Sequence, residues 1–174
     1  GVNFWDCSKR YRSPEQADFL PSLAGQIARV GVFVNAAREL PERLLKEGYL
    51  DYVQFHGDED AAYCRYFAEQ GLPYLRAIGV AGEDSVKGLK LPSCSGLLLD
   101  AHAPGVYGGT GDTCDWSVIA KVHELYPELP ILLAGGINVE NVAEARQLEH
   151  IVALDVASGA ESSPGVKDFD KVKG

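Results

Sequence analysis

The chain is poor in the features that mark several classes of protein. Lys and Arg number 16 against 25 Asp and Glu, which gives a formal net charge of −9 at pH 7. Binding a nucleic-acid backbone needs an excess of positive charge, so this deficit argues against a nucleic-acid partner. No apolar run approaches the roughly 20 residues of a membrane span, and the first residues lack a secretion signal. We therefore expect no membrane and no nucleic acid among its partners.

Cysteine is also scarce, and no two cysteines form a Cys-x-x-Cys pair. The four are scattered along the chain as Cys7, Cys64, Cys94 and Cys114. This pattern predicts reduced thiols and a cytoplasmic location. No linker, low-complexity tract or break in composition interrupts the 174 residues. We therefore predict a single domain over residues 1–174.

What the sequence does contain is a regular repeat of short apolar runs. Val30, Tyr52, Tyr74 and Gly96 mark four of these runs, and each marker follows the previous one by 22 residues. The predicted strands are residues 1–5, 28–35, 52–56, 73–79, 96–100, 130–134 and 150–155. Strands that alternate with single helices pair in parallel through right-handed crossovers, which predicts an α/β fold.

The segments between the strands predict helices. Ser13 is the expected N-cap of the first, and Asp58 is the expected N-cap of a helix that ends before Gly71. Two further helices are predicted to begin at Asp115 and at Asn138.

A closed barrel and an open doubly wound sheet both fit this alternation. In a barrel every strand can deliver a functional residue at its C-terminal end, whereas an open sheet concentrates them at one switch point. Here polar groups or glycines end strand after strand: Asn35, Gln54 with His56, Asp100, Gly135 with Gly136, and Asp155. The sequence therefore favours a TIM (β/α)8-type barrel of parallel strands with outer helices.

Three acidic or imidazole side chains at strand ends are candidates for chemistry. Asp100 follows an apolar strand, where partial burial raises the pKa of a carboxyl group and suits it to act as a general acid; the alternative is a turn cap. His56 lies two residues after Gln54 and on the same side of the strand, either against substrate or as a structural group. Asp155 lies in a context like that of Asp100, and its alternative role is a hydrogen bond to loop N–H groups.

Anion recognition is the second chemistry that the sequence suggests. Gly135-Gly136 and Ser158-Gly159 lie in turns after the last two strands, where barrels often bind phosphate through backbone N–H groups. Arg10, after the first strand, has a guanidinium that could pair with a substrate carboxylate; from position alone, a solvated loop charge is the simpler interpretation. Gly108–Gly111 lacks the context of a dinucleotide motif and is interpreted as a mobile active-site loop.

Together these stretches resemble phosphoribosylanthranilate isomerase, the barrel enzyme of tryptophan biosynthesis. The matching motifs run in the family's order: SKRY at 8–11, SPE at 13–15, GVFVN at 31–35, VQFHGD at 53–58, LD at 99–100, YGGTG at 107–111, DW at 115–116, LAGGIN at 133–138, LDVASGAE at 154–161 and SPGVKD at 163–168.

The resemblance implies an intramolecular aldose–ketose isomerisation, the Amadori rearrangement of N-(5-phosphoribosyl)anthranilate, without metal or organic cofactor. Asp100 matches the general acid that opens the ribose ring, and Arg10 matches the residue that binds the anthranilate carboxylate. His56 and Asp155 match residues of the substrate pocket, and the two glycine turns match the phosphate cradle. The expected partner is therefore a small phosphorylated substrate.

One departure from the family pattern concerns the general base, a cysteine in a Lys-x-Cys-Gly motif on the first strand. The sequence has no such motif, and we interpret its seven strands as strands two to eight of the family, with the first strand and helix and most of the last helix missing. On this interpretation the domain is incomplete at both ends, Cys7 is a loop thiol without a catalytic role, and we expect little isomerase activity. Self-association through the open edges at 1–5 and 150–155 is also expected.

Two alternative functions follow from the same residues. One is a non-catalytic phosphometabolite-binding barrel fragment that keeps the phosphate cradle and lacks the base. The other is a related barrel enzyme that acts on another sugar phosphate, against which the combination of Arg10 and Asp100 argues.

Overall fold

The structure, a computed structural model, describes residues 1–91, 93–100 and 116–173. The predicted mobile loop Gly108–Gly111 and the predicted helix start Asp115 lie outside the described residues. The chain divides into two compact units, Gly1–Ala77 with Leu91–Ser95 and Ile78–Lys90 with Gly96–Gly174. The single domain expected over residues 1–174 stays a prediction. Among the described residues, no helix combines the length and the apolar character needed to cross a bilayer.

The first unit is built from parallel strands joined by helices. Its strands are β1 (Val2–Asn3), β2 (Val30–Phe33), β3 (Tyr52–Phe55) and β4 (Tyr74–Gly79, of which Tyr74–Ala77 belong to this unit). They pair in sequence order, β1 with β2, β2 with β3 and β3 with β4, all parallel. The helices are α1 (Glu39–Lys46) and α2 (Ala61–Glu69), preceded by two 3-10 turns at Glu15–Ala17 and Leu20–Leu23.

The second unit repeats the same plan and then adds a hairpin. Strands β5 (Gly96–Asp100), β6 (Ile131–Ala134) and β7 (Ile151–Leu154) pair in parallel in this order. Its helices are α3 (Ser117–Leu125) and α4 (Val142–Ala145), with a 3-10 turn at Glu83–Val86. An antiparallel hairpin of β8 (Glu161–Ser163) and β9 (Val166–Lys167) follows, and α5 (Phe169–Lys173) comes after it.

Aromatic packing fixes β3 against α2 in the first unit. The buried ring of Phe55 contacts Tyr63 and Phe67 of α2 edge-on, at centroid distances of 5.0 and 4.8 Å, and also contacts Tyr74 of β4 at 5.4 Å. Such pairs add to the free energy gained from burying apolar area. These packed rings therefore fix the C-terminal end of β3, where functional residues were predicted.

All seven predicted strands are present, but the predicted helix starts need correction. Asp58 was expected to cap α2, whereas the carboxylate of Asp60 accepts the N–H of Tyr63 at 2.7 Å and is the N-cap. The N–H of Asp58 instead donates to Oδ1 of Asn35, which draws it out of the cap position. Gly71 follows the helix end with φ of +65°, as expected for a terminator.

Two other expected helices are shorter than predicted. Ser13 exchanges hydrogen bonds with Gln16 as an N-terminal cap does, but only a 3-10 turn follows. Pro21 cannot donate a backbone hydrogen bond, so the segment continues as a second 3-10 turn rather than an α-helix. Asn138 caps a turn by accepting the N–H of Glu140, and α4 starts only at Val142.

The predicted open edge at residues 1–5 is partly wrong. Asn3 pairs with Val32 of β2 and also forms an isolated parallel bridge with Tyr11. Its carbonyl accepts the N–H of Arg12 at 2.8 Å. The chain turns back after β1 because Oδ1 of Asn3 accepts the N–H of Trp5, so part of the outer edge of this short strand is already paired.

An ion pair at the N-terminal ends of β2 and β3 makes folding stability dependent on pH. The guanidinium of Arg29, 6% exposed, donates to both carboxylate oxygens of Asp51 at 2.8 and 2.9 Å, and the backbone N–H of Arg29 donates as well. These hydrogen bonds lower the pKa of Asp51 to about 2. Because the folded pKa lies below the unfolded value, the stabilisation is complete above about pH 4 and is lost as pH falls towards 2.

We therefore expect Asp51→Asn to lower the free energy of unfolding at pH 7 by about 1–2 kcal/mol. The loss is below that of a fully buried pair because Asp51 is 36% exposed and water screens it. The difference from the unchanged protein should shrink as pH falls from 4 to 2, measured by thermal unfolding across that range. Asp84→Asn, in a surface pair with Lys87, is the control and should have little effect. Equal stability of Asp51→Asn and the unchanged protein at pH 7 would contradict this prediction.

Candidate active site

In the first unit, Gln54 and His56 lie together at the end of β3. The side chain of Gln54 is buried, and its amide Nε2 lies 3.1 Å from Nδ1 of His56. The amide nitrogen can only donate, so Nδ1 is the acceptor in this contact. The backbone N–H of His56 donates to the carbonyl of Phe33 at 2.9 Å, which ties the residue to β2.

The sequence analysis missed two charged residues near the C-terminal end of β3, Glu59 and Arg76. The carboxylate of Glu59 is 1% exposed and lies 2.8 Å from Nη1 of Arg76 on β4. It also accepts the backbone N–H groups of Asn35 and Gly57, at 2.8 and 2.9 Å. The available signal was a single arginine inside the apolar run 73–79, a position where a charge needs a buried partner.

The segment after β1 carries Arg10 and Cys7. Arg10 is half-buried, and its backbone N–H donates to Oγ of Ser8 at 3.1 Å. Cys7 is exposed, and its thiol donates to Oδ1 of Asp6 at 3.3 Å. That hydrogen bond, together with the charge of Asp6, raises the pKa of the Cys7 thiol. A general base must be deprotonated, so the local electrostatics oppose a catalytic role for Cys7.

In the second unit, Asp100 ends a strand whose three preceding leucines are fully buried. The carbonyl of Asp100 accepts the N–H of Val80 at 2.8 Å, and Asp100 lies opposite Ala134 in the ladder between β5 and β6. Ala134 directly precedes Gly135. Asp100 therefore lies on the strand that neighbours β6, and β6 leads into the first glycine turn.

The two glycine turns of this unit come together. Gly135 and Gly136 have φ of +88° and +69°, and a parallel bridge joins Asn138 to Gly159 in the second turn. The backbones approach so closely that a Cβ on Gly159 would collide with the carbonyl oxygen of Ile137 and lie 2.8 Å from Cα of Asn138. Beside Gly136, by contrast, no described heavy atom lies within 4 Å of where a Cβ would be, so an anion has room to approach the backbone there.

Side-chain amides and a lysine hold the shape of these turns. The carbonyl of Gly136 accepts Nδ2 of both Asn138 and Asn141, at 3.1 and 3.0 Å. Nζ of Lys167, on β9, donates to the carbonyl of Ala157 at 3.0 Å and pairs with Glu161 at 3.4 Å. The sequence analysis missed Lys167 as a brace for the second turn because the hairpin that carries it was not predicted.

Asp155 lies directly after β7, as expected. Its backbone N–H donates to the carbonyl of Leu133 at 2.8 Å, which continues the pairing with β6. The residue is exposed. Its interaction with substrate stays a prediction.

Seven short parallel strands, their connecting helices and a joined pair of glycine turns define the class: a TIM-barrel type α/β protein. A solved structure of phosphoribosyl anthranilate isomerase from Thermotoga maritima superposes with a TM-score of 0.84, at 37% identity, over 99% of this chain and 83% of that one. A second solved phosphoribosyl anthranilate isomerase, in complex with reduced 1-(o-carboxyphenylamino)-1-deoxyribulose 5-phosphate, has a TM-score of 0.80 and 34% identity over 99% and 82%. The predicted fold class is confirmed.

Sequence comparison identifies the family. The family described as N-(5'phosphoribosyl)anthranilate (PRA) isomerase matches residues 1–174. The N-(5'-phosphoribosyl)anthranilate isomerase of Hahella chejuensis is 41% identical over 99% of this chain and 79% of its own length, and that of Azotobacter vinelandii is 41% identical over 99% and 82%. The chain belongs to the PRA isomerase family, and the resemblance inferred from its motifs is confirmed.

The predicted absence of the family's first strand and helix, and of most of its last helix, is not supported by these comparisons. The matches extend over 99% of this chain, and over 79% and 83% of the two relatives' own lengths.

Proposed function

We propose, against the expectation of little activity that the lack of a Lys-x-Cys-Gly motif raised, that the chain catalyses the Amadori rearrangement of N-(5'-phosphoribosyl)anthranilate. The product is 1-(2-carboxyphenylamino)-1-deoxyribulose 5-phosphate, and the reaction is a step of tryptophan biosynthesis. The observation that carries the proposal is the bridge between Asn138 and Gly159. In a chain of this family, that bridge joins two glycine turns into one backbone surface suited to a phosphate group.

Asp100 is the proposed general acid. Its carboxyl group protonates the ribose ring oxygen, the bond between that oxygen and C1 breaks, and the nitrogen lone pair forms a Schiff base at C1. A general base, a role to which none of the described residues is assigned, then takes the proton from C2 and gives an enolamine. The enolamine loses the proton of its C2 hydroxyl and gains one at C1, which yields the aminoketose product. Because Leu97, Leu98 and Leu99 are fully buried, the backbone that carries Asp100 is well anchored, as a positioned general acid requires.

The remaining predicted site residues are proposed to bind the substrate. Backbone N–H groups of Gly135, Gly136, Ser158 and Gly159 bind the phosphate. Gly135 and Gly136 have positive φ, a conformation in which the backbone approaches anions closely. Gln54, His56 and Asp155 line the substrate pocket. The guanidinium of Arg10 binds the anthranilate carboxylate through charge-assisted hydrogen bonds. The reaction as written needs no metal or organic cofactor.

Kinetics with an Arg10→Ala variant test this assignment. We expect kcat/KM for N-(5'-phosphoribosyl)anthranilate to fall about 10- to 100-fold, chiefly through KM, because a carboxylate pair contributes similarly in the ground and transition states. Substrate consumption is followed by fluorescence. Arg12→Ala is the matched control, since the guanidinium of Arg12 donates to the carbonyl of its neighbour Tyr11 on the exposed surface; its kcat/KM should stay within twofold.

Two outcomes would contradict the proposal. A fall in kcat at unchanged KM for Arg10→Ala would show that Arg10 acts in the chemical step rather than in binding. Phosphate binding without any turnover by the unchanged protein would favour the alternative function, a phosphometabolite-binding protein that is not an enzyme.

We also infer a cytoplasmic location, where the precursors of amino acids are made. Self-association through strand edges stays a prediction, and the pairing of Asn3 with Tyr11 and Arg12 limits it at β1.

A further inference from the structure

A single buried ion pair holds the backbone on both sides of His56. The guanidinium of Arg76 donates to the carbonyl of Phe55 at 3.0 Å and to the carbonyl of Gly57 at 2.9 Å. Its partner Glu59 accepts the N–H of Gly57 at 2.9 Å. Arg76 therefore binds the backbone on both sides of His56, and Glu59 binds it on the side that follows His56.

The same carboxylate ties the end of β3 to the end of β2. Oε1 of Glu59 accepts the N–H of Asn35 at 2.8 Å, and Asn35 adopts a left-handed conformation with φ of +51°. Oδ1 of Asn35 accepts the N–H of Asp58 at 2.7 Å. Gly57 packs so tightly here that a Cβ would lie 2.6 Å from Oδ1 of Asn35. The loop that follows His56 has little room to shift.

The ion pair of Arg76 and Glu59 is better suited to positioning the backbone around His56 than to stabilising the fold. The side chains of Arg76 and Glu59 are 16% and 1% exposed, and burying two charges costs solvation that their attraction repays only partly. Arginine, however, offers planar donors in a fixed fork, which here span two carbonyls and a carboxylate at once. Such an arrangement fixes a backbone geometry that apolar packing alone would leave less defined.

We propose that Glu59 and Arg76 are positioning residues for the isomerase reaction. They fix the backbone of His56 while Gln54 contacts Nδ1 of its ring, and these contacts together set the orientation of the ring. The inference rests on the proposed function, in which His56 contacts substrate. Misplacing a contact group by about 1 Å can cost a hundredfold in rate, so a positioning pair has a measurable kinetic signature.

A second ion pair in the same unit provides the matched control. Arg29 precedes β2 and Asp51 precedes β3, so this pair joins the same two strands at their N-terminal ends. Asp51→Asn and Glu59→Gln each remove one carboxylate charge from an arginine partner. Only Glu59→Gln disturbs the backbone next to His56.

The test is a double-mutant cycle between Glu59→Gln and His56→Ala in the full chain, at a temperature where circular dichroism shows every variant folded. We expect Glu59→Gln to lower kcat/KM about 10- to 100-fold, and to cause less than a twofold further loss when His56 is already alanine. Asp51→Asn should change kcat/KM less than twofold. The ¹⁵N resonances of the His56 ring, one of four histidines, should shift in Glu59→Gln and not in Asp51→Asn.

The outcomes separate this inference from the function on which it rests. If His56→Ala alone leaves kcat/KM unchanged, the substrate contact is wrong and the positioning role falls with it. If His56→Ala lowers kcat/KM and the two losses multiply, Glu59 acts independently of His56 and the positioning proposal alone is overturned. Should Glu59→Gln fail to fold, Arg76→Lys replaces it; lysine keeps the charge but cannot span both carbonyls, and unchanged His56 ring resonances would overturn the proposal.

Discussion

Replacing Asp100 with asparagine is expected to lower kcat by at least about 100-fold, the usual scale for the loss of a general acid. Asparagine keeps the size of the side chain and can still hydrogen-bond to the ribose ring oxygen, but it has no acidic proton to transfer. The strand should tolerate the change, because the three buried leucines of β5 and the hydrogen bond from Val80 to the carbonyl of Asp100 are untouched. KM is therefore expected to change little.

Steady-state kinetics across pH give the sharper measurement. A general acid transfers its proton in the chemical step, so Asp100→Asn should lower kcat at every pH at which the unchanged protein is active. Asp84→Asn, which changes an exposed carboxylate in the same unit, is the control and should keep both kcat and its pH profile. A large rise in KM with kcat nearly unchanged would identify Asp100 as a binding residue instead.

The positions of the strands could be predicted because each is a short apolar run that local sequence defines. The hairpin of β8 and β9 could not, since Glu161–Ser163 carries no apolar alternation and the two strands are only three and two residues long. Its geometry depends on long-range contacts, such as the hydrogen bond from Lys167 to the carbonyl of Ala157. Such contacts leave no periodic signal in the sequence.

The start of α2 shows why helix boundaries are harder to predict than strand positions. Residues 58–60 are three consecutive acids, and two of them, Asp58 and Asp60, have the side chain of a good N-cap. The backbone N–H of Asp58 donates to Asn35 and the carboxylate of Glu59 binds Arg76, and it is Asp60 that caps the helix. The choice is made by partners more than 15 residues away in the chain, as the separations of 23 and 17 residues show.

Some residues of the candidate site could be predicted from the sequence and others could not. Residues that end strands, such as His56 and Asp100, could be predicted because parallel strands present their C-terminal ends to ligand. Glu59 and Arg76 form hydrogen bonds to the backbone at the C-terminal end of β3. Neither residue lies at the C-terminal end of a strand itself. A charged residue inside an apolar strand is the general sequence signal for a buried ion pair of this kind, and Arg76 is such a residue.

Gly159→Ala is expected to weaken binding of inorganic phosphate at least about tenfold and to lower the free energy of unfolding by about 1–3 kcal/mol, the usual cost of overpacking. The new methyl group would meet the carbonyl oxygen of Ile137 and lie 2.8 Å from Cα of Asn138. These are backbone atoms, which cannot rotate away as a side chain could. They are also fastened, because Asn141 accepts the N–H of Asn138 and donates to the carbonyl of Gly136.

Relief of that collision requires the two turns to separate, and separation removes the backbone surface on which the proposed phosphate site depends. Phosphate titration calorimetry and thermal unfolding measure the two effects independently. Gly88→Ala is the control. Gly88 has φ of +71° and no described heavy atom lies within 4 Å of where its Cβ would be, so alanine there costs about 1–2 kcal/mol of backbone strain. It should leave phosphate affinity unchanged, because Gly88 lies outside both turns. Unchanged phosphate affinity in Gly159→Ala, at reduced stability, would show that the joined turns shape the fold and do not hold the phosphate.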